Sequence, residues 1–288
     1  MSAIVRHELS SYFTNLSGYV FGTFLLLFAG IYTMVYNLQS ATTNFEYVLG
    51  SMSFVFLVIV PILTMRVLAE ERRQRTDQLL YSLPITMTQV VLGKFLALMV
   101  VFLVPLAIIS LYPIVLSAFG NINMAASFGP IAGFFCLGAA LIAIGVYISS
   151  ITESQAVAAG VCFVIMLVNY FLGDLADMMS PTAFSSVSIL VVTALVVCLA
   201  VYLMTKNGFL ALVLAACMTG GLMVTYALDS SVFEGLVSGI LEKLSLFEWF
   251  YILVNGVFDL RCVVFLLSVA GVFLFLSVQS MEKRRWSE

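Results

Sequence analysis

Six of the eight residues from 70 to 77 carry charge: Glu70, Glu71, Arg72, Arg73, Arg75 and Asp77. They lie in the stretch AEERRQRTDQLLYSLP, residues 69–84, of a 288-residue chain that is 62% hydrophobic and 9% charged. The chemistry on offer there is ionic and hydrogen-bonded docking, because the groups that catalysis needs do not converge anywhere. The single histidine, His7, sits beside Arg6 and Glu8 near the amino terminus, so no zinc cluster or Ser/His/Asp set fits within the apolar segments. The nearest approach to a phosphate-binding loop, Gly93 and Lys94, lacks the first glycine and is followed by Phe95, and it reads as the start of a helix. The cysteines Cys136, Cys162, Cys198, Cys217 and Cys262 lie in or at the ends of apolar runs without CxxC pairing, as small core residues do.

Such a cluster must be positioned by elements whose natural solvent is lipid. Soluble domains average about 25% charged residues, whereas this chain has a mean hydropathy of +1.14. Uncharged runs of 18 or more residues mark helices that cross a bilayer. The runs 9–45, 47–65, 95–152 (long enough for two, broken at FGNIN, 119–123), 154–173, 178–205, 207–228 and 263–281 predict an all-α polytopic membrane protein with about eight spans. The first run is longer than a signal-peptide core and has no small-residue cleavage site after it, so it is read as the first span.

Basic residues are retained on the cytoplasmic side. With both termini inside, Arg6, Arg66, Arg72, Arg73, Arg75, Lys94, Lys206, Lys283, Arg284 and Arg285 fall inside and only Lys243 and Arg261 outside. Acidic residues do not follow that rule; eight of them outside leave the outer face with a formal charge of −6, which fits an ordinary solvated face or attraction of cations.

Two segments read as helices resting on the membrane. Residues 1–17 place Val5, Leu9, Tyr12, Phe13 and Leu16 at helical spacing, with Arg6, Glu8, Ser10 and Asn15 elsewhere on the wheel, which predicts an interfacial helix. In the outer loop 229–261, Phe233, Leu236, Val237, Ile240, Leu241 and Leu244 form a stripe, and Ser231 with Glu234 and Ser245 with Glu248 fit capping boxes. Two short amphipathic helices are expected there, as an external gate or as a lipid-bound connector.

No ionisable group falls mid-span, as an ion- or proton-driven carrier would require. Asn169 is the best polar candidate within a span, and a hydrogen bond between helices explains it. A chain with no evident energy source needs a handle for a partner that has one, and the loop 66–89 has its makings. Thr76 can cap a short helix through Asp77, Gln78, Leu79, Leu80, Tyr81 and Ser82; Leu79, Leu80 and Leu83 would anchor it, Pro84 ends it, and Thr86 with Gln89 caps the next helix. About eight residues make a helix about 12 Å long, enough to fill a groove on another protein. Solvation alone accounts for the charges, but not for a capped, leucine-faced helix closed by proline.

Here the chain resembles the type-2 ABC transporter permeases, membrane halves of exporters whose ATPase is a separate chain. Glu70, Glu71, Arg72, Thr76, Leu79, Leu80, Leu83, Pro84, Gly93 and Lys94 follow that family's pattern, with Arg75 standing where it usually has glycine and Gln78 where it has glutamate. The opening RHELSSYFTNLSGY, the turn SSITESQ at 149–155 and the ending SVQSMEKRRW add to the likeness, which is greatest for the gliding-motility and nitrous-oxide-reductase maturation permeases.

The resemblance implies one transmembrane permease domain over 1–288. It also implies a coupling helix in the loop after the second span that docks on the ATPase, through Glu70, Glu71, Arg72, Arg75, Thr76, Gln78, Leu79, Leu80, Leu83 and Pro84. A second contact at Thr152, Glu153 and Gln155 follows from it too. No cofactor belongs to the chain itself; ATP and Mg²⁺ are expected on the ATPase. The expected partners are that ATPase, a second permease chain and membrane lipid, with no nucleic acid, in a bacterial cytoplasmic membrane. The family core has six spans, so the pair within 184–228, joined by TKNG, reads as an insertion. A membrane scaffold, a polytopic membrane enzyme and a secondary carrier are the alternatives, and the substrate is not encoded legibly.

Overall fold

A computed structural model describes residues 2–14, 16–40, 42, 44–74, 86–118, 124–206, 208–256 and 259–285. Among them the secondary structure is helical, with no strand, as a bilayer demands of a segment that must satisfy its own backbone groups. Among the described residues seven helices are long and apolar enough to cross: Ser17–Gln39, Glu46–Arg73, Met87–Ser117, Ser127–Ile151, Gln155–Met178, Ala183–Leu203 and Leu260–Arg285. An eighth is counted if Leu212–Leu228 and Ser230–Leu244, bent by 118° at their junction, are taken together. They are numbered here as spans one to eight in chain order, the bent pair being span seven.

The chain divides into two compact units, Met1–Tyr170 with Trp249–Glu288, and Phe171–Glu248. At the centre of the first unit lie five buried phenylalanines from different elements: Phe21 of span one, Phe56 of span two, Phe102 of span three, Phe134 of span four and Phe250 of the short helix Leu246–Val254. Phe56 and Phe134 stack with centroids 4.4 Å apart, and Phe102 meets Phe56 edge-on at 5.7 Å. Span four is the axis of this unit, because its small residues admit neighbours. A Cβ on Gly138 would meet the Phe102 ring, one on Gly133 would meet Leu253, and one on Gly145 would meet Thr64. Close approach over small residues is how helices associate where lipid competes for apolar contact.

The amino-terminal helix, Ser2–Thr14, precedes span one as its periodicity predicts. It does not simply float on lipid, however. Tyr12 is buried, and Glu8, assigned to the polar side of the wheel, turns into the protein.

The second unit holds the end of span five, the hairpin helices Ala183–Thr205 and Gly208–Leu228, and the helix Leu236–Leu244. Lys206 closes the first hairpin helix in the left-handed conformation (φ 52°) and donates its backbone N–H to Tyr202 O at 2.7 Å. The expected amphipathic helices form at Leu236–Leu244 and Leu246–Val254. The Ser245 box is half made, with Glu248 N donating to Ser245 Oγ at 3.2 Å. The Ser231–Glu234 box is not made. Asp229 caps the preceding turn instead, accepting from Ser231 N at 3.0 Å, and left-handed Gly235 (φ 66°) starts the helix one residue past Glu234. A left-handed glycine redirects the chain between Ser231 and the helix, so the serine cannot reach that helix's first N–H groups.

Candidate functional site

Span two ends in a bend, not in open loop. After Thr64 the chain turns through Leu68 into a five-residue elbow helix, Ala69–Arg73. The N–H groups of Leu68 and Ala69 donate to Ser149 Oγ of span four at 3.0 and 3.1 Å. A serine from another helix thus caps the elbow from the side, satisfying donors that have no partner within their own first turn.

The elbow delivers Glu71 to Lys94. Span three starts at Thr86, whose Oγ1 accepts from Gln89 N at 3.3 Å, the cap expected from the sequence, and two turns later it carries Lys94 inward. The Lys94 ammonium donates to Glu71 Oε1 at 2.7 Å, Glu8 Oε1 at 2.8 Å and Val67 O at 2.9 Å, with its side chain 3% exposed. An ammonium has three N–H donors, and each is matched to an acceptor here. A charge this deep is tolerated because two carboxylates and a carbonyl replace its water. Beside it Tyr12 donates its hydroxyl to Leu63 O at 3.4 Å. Burial, and then the nearby Glu8 carboxylate, hold that phenol far above its ordinary pKa, so it remains a neutral donor.

A second set of contacts gathers at the end of span four. Arg72 donates to Thr152 O at 3.3 Å, Arg284 of span eight to Ile151 O at 3.3 Å, and Ser280 to Ser150 O at 3.4 Å. Arg284 also approaches Glu153 Oε1 at 3.5 Å, although Glu153 is largely exposed. The last carbonyls of a helix lack partners and carry partial negative charge, so basic side chains suit them. Together these contacts bind the amino-terminal helix, the elbow, the start of span three and the ends of spans four and eight at one end of the bundle. The arrangement is suited to holding several helix ends in fixed relation.

Of the residues expected to dock a partner, Glu70, Glu71 and Arg72 lie on the elbow, and Thr152, Glu153 and Gln155 lie at the turn between spans four and five. The Arg72–Thr152 bond joins the two groups. Arg75, Thr76, Gln78, Leu79, Leu80, Leu83 and Pro84 lie outside the described residues. Asn169 is half-buried in span five and has a polar partner. Sequence reasoning missed Glu8, Lys94, Ser149, Ser280 and Arg284 as members of one cluster. The signals available were Lys94, a charge several residues inside a helix that is otherwise apolar, and the family-like segments RHELSSYFTNLSGY, SSITESQ and SVQSMEKRRW, which hold the other four.

The model of a family described as ABC-2 family transporter protein matches residues 2–190. The chain belongs to this family. A search among curated proteins found no match. As an ABC-2 family member the chain is a multi-pass membrane permease component of an ABC transporter. The matched region contains the whole Lys94 cluster and Ser149; Ser280 and Arg284 lie beyond it.

Proposed function

We propose that this ABC-2 permease is the membrane half of an ATP-driven exporter, worked by a separate ATPase subunit that carries ATP and Mg²⁺. The ATPase would press on the loop 75–85 and on the turn at 152–155, and two permease chains would rock apart along a shared face. Both termini would then be cytoplasmic, in a bacterial cytoplasmic membrane, and the hairpin within 184–228 would be an addition to a six-span core.

The observation that carries this reading is the bond from Arg72 to the Thr152 carbonyl, 3.3 Å long. It ties the flank of one docking segment to the other at the end of the bundle where both described chain ends lie. A force on either segment therefore reaches the ends of spans two, three and four together. Helix termini fixed by buried polar contacts move as a body, since packed interiors switch between arrangements and do not deform continuously.

The test is purification of the chain from its native membrane. An ATPase subunit should copurify, and Leu79→Asp combined with Leu80→Asp should release it while the permease stays folded. A permease that brings down no nucleotide-binding subunit would sink the reading. Transport that persists without ATP and collapses with the proton gradient would point to a carrier.

A further inference from the structure

We propose that Glu8 and Lys94 are positioning residues that make the amino-terminal helix a third arm of the coupling element, moving with the elbow when the ATPase works. The inference rests on the function proposed above and extends it to a segment that does not lie in either docking sequence.

The geometry is specific. One ammonium holds Glu8 of the amino-terminal helix at 2.8 Å and Glu71 of the elbow at 2.7 Å, and its remaining donor goes to Val67 O at 2.9 Å, just before the elbow. Both carboxylates converge on a side chain that is 3% exposed. If the elbow shifted without the amino-terminal helix, one carboxylate would leave the ammonium, and a buried donor would be left without water to replace it. Moving all three together keeps every bond. Tyr12 reinforces the tie one turn further on, as a buried phenol that donates to Leu63 O near the end of span two. The same helix presents Arg6, His7 and Ser10 as exposed residues, so its other face lies outside this cluster. Motion of the elbow is thereby carried to the surface segment that leads into span one.

Hydrogen–deuterium exchange of the complex with its copurified ATPase tests this, comparing the nucleotide-free state with ATP plus vanadate and following the amides of 2–14 and 66–74. In the wild type both segments should change. In Glu8→Gln, which keeps the side-chain shape and removes its charge, the response of 66–74 should persist while that of 2–14 falls several-fold. A static anchor would give no nucleotide response in 2–14 even in the wild type, and that result, which needs no variant, overturns the proposal. So does a Glu8→Gln complex whose 2–14 segment responds as strongly as before. If 66–74 itself is silent in the wild type, the reading of an ATPase-driven permease falls as well, and the two failures are told apart by that segment.

Discussion

Arg72 reaches across 3.3 Å to the carbonyl of Thr152, joining residues 80 apart in sequence. The bond sets the elbow after span two against the turn after span four. It joins two segments that are separated by an entire helical hairpin. The neighbouring carbonyls of Ser150 and Ile151 are held from the other side by Ser280 and Arg284, so span four ends in a collar of donors from the elbow and from span eight.

Lys94→Met should be among the most damaging single changes near that collar. It removes the cation and leaves Glu8 and Glu71 facing each other across the space the ammonium held. Breaking a buried ion pair from one side costs about 3–5 kcal/mol. The carboxylate side chains are 15% and 25% exposed, so the lower part of that range is expected. Thermal unfolding in detergent should show a clearly lower midpoint, and adding Glu8→Gln to Lys94→Met should recover part of the loss. Equal midpoints for Lys94→Met and wild type would show the cluster to be idle.

Ser149→Ala removes the shared acceptor of two buried N–H groups. Each orphaned donor costs about 1–3 kcal/mol, so the elbow helix should fray even though no side chain of its own has changed. The amides of Leu68 and Ala69 should lose protection from exchange by ten-fold or more, and Ser149→Thr, which keeps the hydroxyl, should retain most of it. Unaltered protection in Ser149→Ala would mean that the side-on cap does not hold the elbow.

Much of this architecture is legible in the sequence because lipid imposes simple rules. Charge-free runs correspond to the spans, and Thr86 with Gln89 forms the cap that its spacing predicts. The Lys94 cluster is illegible for an equally physical reason. Glu8 and Lys94 are 86 residues apart, and pairing at that distance leaves no periodic trace. On a helical wheel Glu8 belongs to the polar face, and a lysine near the start of a span looks like a charge retained at the membrane edge. Only folding reveals that each is the other's solvent. At Ser231 and Glu234 the spacing misleads because Gly235 adopts a left-handed conformation that pattern reading cannot foresee.

Gly145→Ala probes the contact that sets the distance between spans two and four. A Cβ there would collide with the Thr64 side chain, 2.7 Å from its Cβ and 2.8 Å from its Cγ2. Thr64 cannot easily yield, because it is buried and its hydroxyl donates to Val60 O at 2.9 Å. Overpacking of this kind costs about 1–3 kcal/mol. The single variant should lower the unfolding midpoint, and Thr64→Gly in the same chain, which removes the clashing Cβ together with the rest of the side chain, should restore part of it. No rescue by Thr64→Gly would locate the strain elsewhere.

Glu248 should give the second unit a measurable pH dependence. Its carboxylate lies against Gly173, where a Cβ would come within 2.8 Å of Glu248 Cδ. Burial, then the charges of Asp177, Glu242 and Asp174, hold its pKa above the ordinary 4.5. A carboxyl with a raised folded-state pKa favours its protonated form on folding. The associated stability is therefore complete below the unfolded-state value and is lost as pH rises through the folded one. Resistance of residues 229–248 to proteolysis should accordingly increase as pH falls from neutral toward 4.5. Glu248→Gln should be resistant at neutral pH and nearly flat with acidification. Gly173→Ala should also flatten the profile, at lower resistance, by pushing the carboxylate into water. A wild-type profile that weakens on mild acidification would reverse the sign and overturn the assignment to Glu248.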